Sequence, residues 1–120
     1  MTRINVGIPP KSLSRQHLLA EHREIKRIPN MVASGKAKLG NIPKEFKLGK
    51  GSVRFFYNKL GYLKNRYEEI YAECLERKYN VTYYGNAWGQ VPPELMGDFV
   101  PTKANIKELE QRIKERSERI

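Results

Sequence analysis

The second residue of the chain is the first with a distinctive chemical prospect. Thr2 follows Met1, and threonine is small enough for an initiator methionine to be removed routinely. Removal leaves a free α-amine on Thr2. Such an amine has a reference pKa of about 7.7–8.0, against about 10.4 for a lysine. A useful fraction is therefore unprotonated at neutral pH, without the burial a lysine nucleophile needs. Neighbouring Arg3 lowers that value further by like-charge repulsion. Every chain has an N-terminus, so this amine gains weight only from what accompanies it.

What accompanies it is a group of polar side chains at helical spacing. At about 100° per residue, Leu18 and Ile25 share one face of a helix over the segment SRQHLLAEHREIKRI, and Arg23, Gln16, Arg27, Ala20, Glu24 and His17 share the opposite face. That face offers two guanidinium groups, an amide, an imidazole and a carboxylate around one small residue.

Other chemistries find little support. There is no phosphate-binding glycine signature and no serine-nucleophile elbow. One cysteine, Cys74, and two histidines, His17 and His22, make a structural zinc site very improbable. No metal and no organic cofactor is expected. Cys74 falls on an apolar helix face, where a small core residue is expected rather than a nucleophile. A lone cysteine forms no disulfide within the chain and fits a reducing cytosol. The start MTRINVGIPP has no apolar run long enough for a signal peptide.

Charge points to a polyanion. The chain carries a formal net charge of +10. Residues 1–60 hold 13 Lys/Arg against 3 Asp/Glu, whereas residues 61–120 hold 10 of each. All the excess therefore lies in the N-terminal half. No long apolar or lipid-binding amphipathic segment stands out, so nucleic acid is favoured over a membrane. Lys36, Lys38, Lys44, Lys47 and Lys50 sit among Gly35, Gly40, Pro43, Gly49 and Gly51. This stretch reads as a connector, with an extra helical turn possible at its start, whose lysines contact phosphates.

The elements that must position these residues follow from periodicity. Residues 1–11 read as extended, with Ile4, Val6 and Ile8 alternating before Pro9 and Pro10. Ser12 or Ser14 caps a first helix that runs to about Arg27 or Ile28, where Pro29 closes it. Phe56, Leu60, Leu63, Tyr67, Ile70 and Cys74 recur at steps of three and four. They predict one long amphipathic helix over 52–78 as the central core element, slightly weakened by Gly61. Residues 79–104 read as irregular. Their Tyr83, Tyr84 and Trp88 either pack as a satellite core or stack on exposed bases. Asn105 starts a last helix with Glu108 at the capping-box position, and its tail RIKERSERI is polar enough to fray. The expectation is one all-α domain spanning 1–120, compact and monomeric, with three main helices and long irregular connections.

Beside these readings stands a resemblance. TRIN at 2–5, QHLLAEHRE at 16–24, Arg27, FFYNKLGYLKNR at 55–66, AECLER at 72–77 and GDFVP at 97–101 are similar, in order, to the phage pyrimidine-dimer DNA glycosylase/AP lyase family, the ultraviolet-damage endonuclease V enzymes. The resemblance implies that the amine of Thr2 is the nucleophile and that Glu24 is the catalytic carboxylate. It places DNA-gripping arginines at Arg3, Arg23 and Arg27, and the family's active-site glutamine and histidine at Gln16 and His17. The partner it implies is double-stranded DNA carrying a damaged base, with excision followed by strand cleavage through an imine. The family's aromatic, lysine-containing tail after the last helix has no match in these 120 residues. Two other readings remain open at this stage. One is a nucleic-acid-binding protein without catalysis, and the other is a lyase or glycosylase for a different lesion.

Overall fold

A computed structural model describes residues 4–46 and 52–118 of the chain. The architecture is all-α: α1 (Arg15–Glu24), the short α2 (Arg27–Ala33), α3 (Leu60–Glu76) and α4 (Lys103–Glu118), joined by long connections that contain single 3-10 turns. Among the described residues there is no β-strand.

The first segment is folded back rather than extended. Gly7 has φ +73°, and the Ile8 N–H donates to the Asn5 carbonyl at 3.2 Å. This closes a turn that an L side chain would strain. A Cβ on Gly7 would also stand 2.5 Å from the side chain of Ile106 on α4. The turn still buries Ile4, Val6 and Ile8, so the apolar pattern is used, though without strand geometry.

Ser14 caps α1, its hydroxyl accepting from the His17 N–H at 3.2 Å. The predicted end near Arg27 is corrected. The α1 ladder stops at Glu24 and a new helix starts at Arg27. Pro29 lies inside α2, near its start, where the first N–H groups lack an intrahelical acceptor in any case. Having no N–H, Pro29 cannot bond the Ile25 carbonyl four residues earlier, so the chain bends at Ile25 and Lys26 instead of ending. The termination signal is Gly35, at φ +80°. There the Gly35 and Lys36 N–H groups donate to the carbonyls of Val32 and Met31, both at 3.2 Å, in a Schellman arrangement.

The predicted helix over 52–78 is likewise two elements: a 3-10 segment, Ser52–Asn58, and then α3. The break at Lys59 has a tertiary cause. Lys59 forms an isolated antiparallel bridge with Met96, and the Tyr62 N–H donates to the Gly97 carbonyl at 3.0 Å. Despite the break, every member of the predicted stripe is buried. Phe46, Phe55, Phe56 and Phe99 meet in mostly edge-to-face contacts, which anchors the basic connector after α2 to the core. Arg54 ties the same connector from above, donating to the Gly40 carbonyl at 2.8 Å.

α4 starts two residues earlier than predicted. Thr102 and Asn105 exchange side chain-to-backbone hydrogen bonds, each 3.1 Å. The reciprocal cap is therefore Thr102 with Asn105, not Asn105 with Glu108. The helix continues to Glu118 through most of the tail expected to fray. Trp88 is buried and donates its indole N–H to the Leu60 carbonyl at 3.0 Å, and Tyr83 stands edge-on to Tyr71. The satellite-core reading holds for Trp88; Tyr84 is half-buried, and Tyr83 is 37% exposed.

Candidate active site

Helix α1 presents two faces of opposite use. Leu18 and Ile25 are fully buried, as their spacing predicts. On the other side Gln16 and Arg23 are exposed, and His17, Ala20 and Glu24 are half-buried; Arg27, also exposed, joins them from the first position of α2. The side chain of Glu24 is 17% exposed, while those of Arg23 and Arg27 are 61% and 55% exposed. Arg27 Nη1 donates to Glu24 Oε1 at 3.3 Å, and Arg23 Nη2 lies 3.8 Å from Oε2. The two guanidinium groups thus flank one carboxylate and keep most of their own donors toward solvent. That geometry suits an anionic ligand approaching the pair while the carboxylate stays beneath it.

Neighbouring groups hold this face in place. Ser14 Oγ lies 2.8 Å from His17 Nδ1, which orients the ring toward the start of the helix. Lys26 donates to the Arg23 carbonyl at 2.9 Å and sits 3.6 Å above the Tyr84 ring, a cation–π contact that also satisfies a terminal carbonyl of α1.

Lys36, Lys38 and Lys44 are exposed on the connector that follows α2. They form a basic flank and make no hydrogen bond or ion pair with Glu24. Lys47 lies outside the described residues, as do Thr2 and Arg3. The chain enters view at Ile4. Asn5 then donates its amide to Glu21 Oε1 at 2.8 Å, so the N-terminal segment meets α1 one turn before Glu24.

Two buried polar clusters escaped the reading of the sequence. In the first, Glu21 receives Arg66 Nε at 2.7 Å and Nη2 at 3.0 Å. Burial opposes the charge on Arg66, but Glu21, together with Tyr62 and Glu69, more than offsets that, and the guanidinium ends above its ordinary pKa. In the second, Tyr67 Oη accepts from the Tyr84 N–H at 2.6 Å and lies 3.1 Å from His22 Nε2. Which of the two donates is set by the imidazole tautomer. His22 also bonds the backbone of Thr82, while burial and then the charge of Lys26 hold its pKa below the ordinary value. Burial in the same cluster pushes Tyr67 up to about 12, so both groups stay neutral near pH 7. A signal for both clusters existed. Glu21 and His22 lie three and four residues from Leu18 and Ile25, and Arg66 lies three from Leu63 and four from Ile70. Polar groups at core spacing must find buried partners.

Among the described residues no cluster of His, Cys, Asp and Glu could hold a metal ion, and no helix is long and apolar enough to cross a membrane. Cys74 is buried, and burial raises its thiol pKa, as suits a core position. Comparison with models of known protein families matches residues 1–84 to the family described as pyrimidine dimer DNA glycosylase.

Proposed function

Because the chain belongs to the pyrimidine dimer DNA glycosylase family, we propose that it removes a base from damaged double-stranded DNA and then cuts the abasic strand, using the α-amine of Thr2. The observation that carries the reading is the Arg23–Glu24–Arg27 arrangement where α1 gives way to α2, with the N-terminal segment bonded to α1 one turn before Glu24.

The arginines and the exposed lysines of the connector hold the phosphate backbone. The damaged nucleotide leaves the stack so that C1′ of its sugar can be reached. The Thr2 nitrogen attacks C1′, and the bond to the base breaks, its electron pair leaving with the base, which takes up a proton. The sugar ring opens as O4′ accepts a proton, leaving an imine between Thr2 and C1′. Glu24 stabilises the cationic sugar and assists proton transfer. Loss of a proton from C2′ then expels the phosphate at C3′ and breaks the strand. Water hydrolyses the imine and frees the enzyme. The amine serves as the electron sink, so the scheme calls on no cofactor. The protein acts as a single-domain monomer in a reducing compartment, which suits its one buried thiol.

Borohydride tests the scheme. It should reduce the imine and fix the protein covalently to a duplex containing an abasic site. Acetylation of the N-terminus should abolish the adduct. Thr2→Ala should keep some of it, because the amine persists. Salt-sensitive DNA binding without any adduct would make the protein a binder rather than an enzyme, and full activity in a chain proven to retain Met1 would exclude the Thr2 amine. A panel of duplexes with defined lesions identifies the base removed.

A further inference from the structure

The proposed chemistry assigns no task to the buried network around Glu21. Glu21 is 2% exposed, Asn5 4% and Arg66 5%. Arg66 holds both oxygens of Glu21 and donates through Nη1 to the Ile8 carbonyl. Asn5 adds its amide to Glu21 Oε1 at 2.8 Å. The bonds join the N-terminal turn, α1 and α3, three segments far apart in sequence. At the C-terminal end of α3, Arg77 extends the clamp, with Nη2 within 3.2 Å of the carbonyls of Pro10 and Lys11 and 2.8 Å from that of Leu13.

Stability alone is a poor reason for such a network. Taking a carboxylate and a guanidinium out of water is costly, and well-packed apolar residues often serve as well or better. Apolar burial of Ile4, Val6 and Ile8 would hold the segment without the network, but burial is non-directional and tolerates a slip along the groove. Hydrogen bonds of set length and angle do not. Asn5 is three residues from Thr2, and Glu21 is one helical turn from Glu24.

We infer that the Asn5–Glu21–Arg66 network positions the N-terminal amine for reaction, setting its reach relative to Glu24. The inference rests on the reading of Thr2 as nucleophile. Its three members are positioning residues: they act through the backbone of residues 4–8 and not on the sugar.

Asn5→Leu is the cleanest probe. It keeps the branching of the side chain at somewhat greater bulk, removes the bond to Glu21, and also removes Asn5 Oδ1, which has no hydrogen-bond partner among the described residues. Glu21 keeps Arg66. On a saturating abasic-site duplex, the single-turnover rate of borohydride trapping should fall about tenfold to a hundredfold, the scale of a misplacement near 1 Å. Affinity for an intact duplex should stay within about twofold, and the melting temperature should change little. Amide exchange of residues 4–8 should speed up at least about tenfold, with the middle of α3 unchanged. Asn5→Ala repeats the series should circular dichroism show Asn5→Leu unfolded. An unaltered trapping rate overturns the inference, even if exchange rises. If the unaltered protein itself is never trapped, the Thr2 reading fails instead. The exchange measurement then still decides whether this network holds the segment, and unchanged exchange overturns that too.

Discussion

Glu24 sits beneath two arginines whose ion pairs with it run through exposed side chains. Exposed pairs contribute little to stability, about 0–1 kcal/mol, and a carboxylate beside bound DNA repels it. Glu24→Gln keeps the shape and removes the charge. Duplex binding should survive or tighten, while base release falls by at least about a hundredfold, the scale of lost acid–base assistance. Unchanged single-turnover excision would reduce Glu24 to an ion-pair partner. His22 makes a second prediction at this scale. Its pKa in the fold lies below its ordinary value, so between those two values the unfolded chain binds more protons than the folded one. The stability it confers is therefore complete above about pH 6.5, the unfolded value, and is lost as pH falls toward the folded one. Melting temperature should rise with pH across that acidic window and level off above it. His22→Gln, which can still hydrogen-bond Tyr67, should flatten that part of the curve, and an unchanged slope would mean that His22 is not its source.

Among the elements, α3 shows tertiary contact overriding local preference. Gly61 lies just inside its N-terminus, where replacing glycine by alanine should raise helix stability by about 1 kcal/mol on propensity alone. A Cβ there would stand 2.6 Å from the Met96 carbonyl oxygen and 3.0 Å from that of Gly97. Both are backbone atoms, and the Gly97 carbonyl also receives the Tyr62 N–H. Gly61→Ala should therefore destabilise, by about 1–3 kcal/mol as for an overpacked contact. A thermal melt reads the sign directly, and an increase would show that segment 96–97 does not approach α3 so closely. The same logic explains the short α2. Pro29 interrupts one hydrogen bond of the ladder, and the burial of Ile28, Pro29 and Val32 carries the chain on as a helix in a new direction.

At the scale of the whole molecule, two groups of exposed basic residues among those described bear on DNA binding. Lys36, Lys38 and Lys44 line the connector after α2, and Arg23 and Arg27 frame Glu24. Binding should fall steeply with salt, because phosphate contacts release counterions. Lys36→Ala or Lys44→Ala should weaken damaged and intact duplexes alike and flatten the salt slope by about one unit. Arg23→Ala or Arg27→Ala should instead erode the preference for damaged DNA. Titrations on matched duplexes over a range of salt separate the two. Identical behaviour of lysine and arginine variants, or binding indifferent to salt, would contradict the division.

Periodicity alone was enough to recover the apolar stripe of α3 and the buried and polar sides of α1, because these depend on angular spacing along one helix, whereas Arg27 reaches Glu24 from the start of α2. The one-sided charge was equally legible, since it needs only counting. Where helices break was not legible. Lys59 ends the 3-10 segment because Met96 and Gly97 lie against it, and no local window contains both. The buried partners were hidden for the same reason. Asn5, Glu21 and Arg66 are polar types that usually face water, and their burial rests on Glu21 accepting from both of the others, across 16 and 45 positions of sequence. A pairing of that kind is a property of three segments brought together, and the free energy that makes it tolerable exists only once they meet.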